Sequence, residues 1–137
     1  ESICRYIIPN YPKEHPLKPT ALRNLGWILY CRYEATGSTT YLNEAVGQQR
    51  LALTEMPMSQ FNETHQHLRY LGWYLYSQYD SLGNATTLEE CISVLAEALE
   101  HCPSTHIDRN KLLSDMLWAL YRKAIHYGDI KEIDQGI

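Results

Sequence analysis

One segment of this chain is written twice. LRNLGWILYCRY occupies positions 22–33 and LRYLGWYLYSQY positions 68–79. A repeat at a fixed period of a few tens of residues constrains the fold more than any other sequence feature, because each copy must build the same local unit. Trp27, Trp73 and Trp118 lie 46 and 45 residues apart. The same offsets relate Leu22 to Leu68 and Leu113, Leu25 to Leu71 and Met116, Leu29 to Leu75 and Leu120, and Tyr30 to Tyr76 and Tyr121. Further along, Gly37, Gly83 and Gly128 coincide, as do Leu42, Leu88 and Ile133, and then Val46, Ile92 and Ile137.

Within a unit the apolar residues follow a helical period. Leu22, Leu25, Leu29 and Tyr33 fall at i, i+3, i+7 and i+11, as do Leu68, Leu71, Leu75 and Tyr79, which places one apolar stripe on one helix face. Glycine at 37, 83 and 128 suits the left-handed position that ends a helix. A second helix follows, with Ser38 or Thr39, Thr86 or Thr87, and Asp129 as expected N-caps. It carries Leu42, Ala45, Val46 and Ala52 in the first unit, and Leu88, Cys91, Ile92, Leu95, Ala98 and Leu99 in the second, and stops before Pro57 or Pro103. Each unit is an antiparallel helix hairpin that must stack on its neighbours to bury its apolar face. The expected fold is all-α.

Length and composition agree with that reading. The chain has 137 residues, 45% of them apolar, enough for one ordinary domain with a core. A net charge of −4 offers no attraction to phosphate backbones, so nucleic-acid binding is not expected. No apolar run reaches the roughly 20 residues a membrane helix needs. Cys4, Cys31, Cys91 and Cys102 follow no metal-finger spacing, and reduced thiols in a cytoplasmic protein are the simplest reading.

These residues resemble the tetratricopeptide repeat family. Leu22, Leu25, Gly26 and Leu29 are similar to the large-small pattern of that family's first helix, and Ala45, Ala52 and Pro57 to its second. Leu68, Leu71, Gly72, Leu75, Cys91, Ala98 and Pro103 repeat the pattern. About seven extra residues between the two halves, some two helical turns, lengthen the first helix and keep its apolar face in phase. With His15-Pro16 and His106-Ile107-Asp108-Arg109 ahead of the units, the pattern resembles the extended repeats of large fungal proteins, in which such arrays often accompany NACHT or CHAT domains. Two positions depart from it: Phe61 stands where a histidine is expected, and Met116-Leu117 replaces Leu-Gly in the third unit.

The resemblance implies a right-handed α-solenoid of stacked hairpins. Positions 1–14 then close a preceding repeat, 15–60 and 61–105 form two full repeats, and 106–137 form a partial third. Such an arrangement is expected of a fragment of a longer protein. The resemblance also implies a concave groove lined by the first helices. Carried over position by position, its wall comprises Thr20, Arg23, Trp27 and Tyr30, then Gln66, Arg69, Trp73 and Tyr76, then Lys111, Ser114, Trp118 and Tyr121.

Helix geometry groups Arg23, Trp27, Tyr30 and Glu34 on one face independently of the resemblance. A surface of flat aromatics with arginines suits a peptide or protein partner. The same aromatics also suit plain packing between successive first helices. The remaining polar groups point to little chemistry. His65 and His67 fall on different helix faces, and Pro103 interrupts His101 and His106, so no helical zinc pair forms and no metal or cofactor is expected. No catalytic residue is assigned, although Glu34 and Asp80 would be the inward carboxylates of an all-α enzyme. The functions in view are a non-enzymatic interaction scaffold, and, as the alternative, a spacer or self-association module whose exposed end units pair.

Overall fold

The computed structural model describes residues 18–56 and 63–128. These form α1 (Lys18–Thr36), α2 (Thr39–Thr54), α3 (Thr64–Leu82), α4 (Ala85–His101) and α5 (Asp108–His126), with no strand among the described residues. The protein is all-α over this range. The expected segment 1–14, the cap Asp129, Phe61 and the second helix of the third unit lie outside it.

The helix ends follow the punctuation of the sequence. Gly37, Gly83 and Gly128 all take positive φ, at 73°, 72° and 82°. The amides of Gly37 and Gly83 each donate to a carbonyl four residues back, Tyr33 and Tyr79, at 2.7 Å, which closes the last turn. Ser38 is the N-cap residue of α2, as the sequence predicts, but its side chain makes no capping bond. In the second unit the cap is Asn84, not Thr86 or Thr87: its Oδ1 accepts from the Thr86 amide at 2.9 Å. Asparagine reaches its own backbone two residues on, so it captures the cap from the threonines behind it.

Two antiparallel hairpins result. Lys18 at the start of α1 pairs with Glu55 just beyond α2 at 3.6 Å, and midway the backbone of Gly26 lies against the Ala45 carbonyl and Gln49. In the second hairpin the Cys91 thiol donates to the Gly72 carbonyl at 3.2 Å, and Gly72 faces Leu95. The hairpins join through α2 and α3, where buried Gln49 donates to the His67 carbonyl at 2.8 Å and Gln78 donates to Asn43 at 2.8 Å. α5 packs on α4, with Tyr127 donating to Glu89 at 2.9 Å across the open end.

Every successive pair of helices therefore runs antiparallel, which leaves α1, α3 and α5 parallel. Their side chains meet at a separation close to the sequence period: Tyr33 bonds Ser81 (48 residues on), Arg69 bonds Asp115 (46 on), and Tyr79 meets His126 (47 on). Equivalent positions of neighbouring units are thus lateral neighbours.

One core runs through both hairpins, built from Leu22, Leu25, Leu29, Leu42, Ala45, Ala52, Leu68, Leu71, Leu75, Leu88, Leu95 and Ala98. The third unit departs from its copies. Leu113 and Leu120, equivalents of buried Leu22 and Leu29, are 41% and 44% exposed, while Leu112 and Ala119 are buried. Leu112 and Ala119 belong to the core that α5 shares with α4, and Met116 packs against it, whereas the equivalents of Leu113 and Leu120 in the first two units belong to the core of their own hairpins. The second helix expected of the third unit falls outside the described residues.

Candidate functional site

The face carried by α1, α3 and α5 gathers most of the aromatic surface. Trp27 stacks on Tyr30 with ring centres 5.6 Å apart and meets Trp73 edge-on at 6.1 Å. Trp73 also meets Tyr30 edge-on at 6.1 Å, and its indole Nε1 donates to the Tyr30 hydroxyl at 3.0 Å. Ser77 donates to the same hydroxyl at 3.4 Å. Tyr30 is accordingly buried and holds the first two units together. Trp27, Trp73 and Trp118 remain 40%, 43% and 51% exposed, well above what packing residues show.

Between the second and third units the aromatic contacts open into a cavity of about 250 Å³, with Trp73 and Trp118 on its walls. Arg69, Tyr76, Asp115 and Ala119 complete most of the lining, with Gly72, Cys91 and Leu95 at the floor. A smaller depression of about 240 Å³ lies beside Arg23, Trp27 and Tyr70. The site is apolar with one charged pair: Arg69 Nε donates to Asp115 Oδ2 at 2.9 Å, and both residues are partly exposed. Arg23 lies over the Tyr70 ring at 5.7 Å.

The structure thus divides the residues expected to form the groove. Arg69, Trp73, Tyr76 and Trp118 share one cavity, and Arg23 and Trp27 share the depression next to it. Tyr30 lies beneath them in a packing role. Tyr121 is half-exposed and tilts against Trp118 at 5.6 Å, and Lys111 extends to solvent beside Asp108, outside both hollows. Of the carboxylates, Glu34 is exposed and Asp80 faces Arg122 at 3.7 Å.

Besides the Arg69–Asp115 pair, the cavity lining carries a phenol, Tyr76, and a thiol. Its one thiol, Cys91, has a pKa pushed up to about 12 by burial and then by the nearby Asp115 charge, so it stays protonated and donates to the Gly72 carbonyl. Burial likewise raises the pKa of Tyr74 behind it. Cys31, Cys91 and Cys102 are free thiols.

Sequence reasoning missed two features. Arg69 is engaged by Asp115 rather than left open for a partner's carboxylate; the 46-residue separation of the pair matches the repeat period and was available as a signal. The His106–Arg109 segment has a structural use. Arg109 donates to the carbonyls of Cys102 (3.1 Å) and Leu99 (3.4 Å) at the end of α4, and His106 Nδ1 accepts from the Asp108 amide at 3.0 Å. It seals the end of one helix and starts the next.

No helix among the described residues is long and apolar enough to cross a membrane. No family model, curated protein or solved structure matches the chain.

Proposed function

We propose that this chain is a non-enzymatic, tetratricopeptide-like scaffold, a right-handed stack of helix hairpins that binds a peptide or protein segment along the face of its first helices. One observation carries the reading: three tryptophans at equivalent positions stay 40–51% exposed, two of them flanking the cavity between α3 and α5. Exposing large aromatic surface is costly unless a partner covers it, and aromatics in a partly desolvated hollow are the residues that dominate interface energies. The Arg69–Asp115 pair at the rim provides polar register rather than raw affinity.

Display of a random peptide library on the chain tests this. Peptides selected on the wild type are expected to lose at least about 2 kcal/mol of binding to a Trp73→Ala/Trp118→Ala variant that keeps its helical circular dichroism, the loss typical of paired aromatic anchors. Equal enrichment on both proteins rejects the groove.

A second reading is self-association. The exposed stripe of Leu113, Leu117 and Leu120 on α5 matches the apolar face that the first two units bury. Sedimentation over a wide concentration range tests it, and a strict monomer throughout rules it out. A cytoplasmic location and a place in a larger fungal protein are part of the same proposal.

A further inference from the structure

At the open end of the second hairpin, away from the Gly83 turn, the start of α3, the end of α4 and the start of α5 meet. His65, Cys102 and His106 come together there, one donor atom of each lying within 4.8 Å of the others. His65 is 1% exposed and Cys102 4%, while the His106 side chain is about a third exposed and opens the cluster to solvent. The two imidazoles cross edge-on with centres 4.6 Å apart. Asp108 closes the group: its Oδ2 lies 3.5 Å from His65 Nε2 and 3.7 Å from His106 Nδ1.

His65 does not behave as a core histidine. Neither ring nitrogen has a hydrogen-bond partner, although the side chain is buried. Burying a polar atom without a partner costs roughly 1–3 kcal/mol; Nδ1 is such an atom and Nε2 has only the Asp108 carboxylate at 3.5 Å, so packing alone is a poor account of this imidazole. From these observations we propose that His65, Cys102 and His106, with the Asp108 carboxylate, form a binding site for a divalent zinc-like ion.

The donor set identifies the metal class. Two imidazoles and a thiolate suit Zn²⁺ and disfavour the hard cations, which take oxygen ligands. Bonds of about 2.0–2.3 Å set tetrahedral edges at roughly 3.3–3.8 Å. The Asp108 distances already fall there, and the three donors close to that range with side-chain shifts of about 1 Å. Binding changes two features of the metal-free arrangement. Cys102 must give up its proton, which its burial opposes and the charge of the ion favours. His106, binding through the Nδ1 that lies 3.7 Å from Asp108 Oδ2, must release the Asp108 amide from which it accepts in the metal-free arrangement. Three helices joined by one ion would fasten the third unit to the second hairpin.

Titration of the full reduced, metal-stripped chain with Co²⁺ provides the test. One ion per chain is expected, with the visible bands of tetrahedral cobalt and a thiolate charge-transfer band, displaced by Zn²⁺. Cys102→Ser should abolish the charge-transfer band. His106→Gln, at a partly exposed position, should retain the helical signal and weaken Zn²⁺ binding by more than about tenfold. A Cys4→Ser/Cys31→Ser variant should bind as the wild type does. The site is rejected if no thiolate band appears, if the band survives in Cys102→Ser, if the Cys4/Cys31 variant loses it, or if folded His106→Gln binds unchanged.

Discussion

Gly26 and Gly72 stand at the same position of two copies of one sequence, yet replacing each by alanine should shift stability in opposite directions. At Gly26 a new Cβ would lie 3.5 Å from the Ala45 carbonyl oxygen and 3.7 Å from Tyr74, ordinary contact distances. Gly26→Ala should then gain the helix propensity difference, about 1 kcal/mol. At Gly72 the Cβ would lie 2.9 Å from Leu95 Cδ2 and 3.1 Å from its Cγ. Rotating the terminal methyls does not move the branching carbon, and Leu95 is buried, so the helices must part. Overpacking of this kind costs roughly 1–3 kcal/mol, which offsets the propensity gain and leaves Gly72→Ala about 1 kcal/mol less stable than wild type. The two variants should therefore differ by about 2 kcal/mol, read as midpoints in urea at constant slope. A double-mutant cycle locates the cause: Leu95→Ala should be less costly in the Gly72→Ala background by about 1 kcal/mol or more. Equal destabilisation by the two glycine variants, or strict additivity with Leu95→Ala, would refute the assignment of Gly72 as the closest approach of α3 and α4.

Two further outcomes follow from buried polar groups and caps. Burial, reinforced by the Arg23 charge, lowers the His67 pKa from 6.5 to about 4. The unfolded chain therefore binds the extra proton first: stability should be level above pH 7, fall by up to about 3 kcal/mol between pH 6.5 and 4, and level off below, and His67→Leu should flatten that part of the pH profile. Asn84→Ala removes a side-chain cap and should cost about 1 kcal/mol, whereas Ser38→Ala, with no capping bond to lose, should cost a few tenths, both measured by chemical denaturation.

What was legible beforehand followed from periodicity. The stripe of Leu22, Leu25 and Leu29 and its copy at Leu68, Leu71 and Leu75 are buried because their 3.6-residue spacing leaves no other face for them. The glycines at 37, 83 and 128 marked the helix ends because left-handed backbone has few other tenants. The aromatic face was only partly legible. Periodicity assigned Tyr30 and Trp27 to one wall, but which of them sinks depends on the Trp73 indole reaching the Tyr30 hydroxyl, a contact 43 residues away. The His65–Cys102–His106 cluster was hidden for a related reason: His65 lies on α3 while Cys102 and His106 lie in the turn between α4 and α5, and no single-helix spacing rule joins them. Unequal burial of Leu29 and Leu120 shows the limit from another side, since register alone does not fix how deeply a residue is buried.

The parallel first helices, meeting at separations of 43 to 48 residues, also govern how such a chain finds its structure. No contact described between these units asks the backbone to close a loop much longer than one period, so adding units lengthens the chain without lengthening its loops. Folding time should therefore be set by forming one hairpin and docking the next, and should stay nearly constant as units are added.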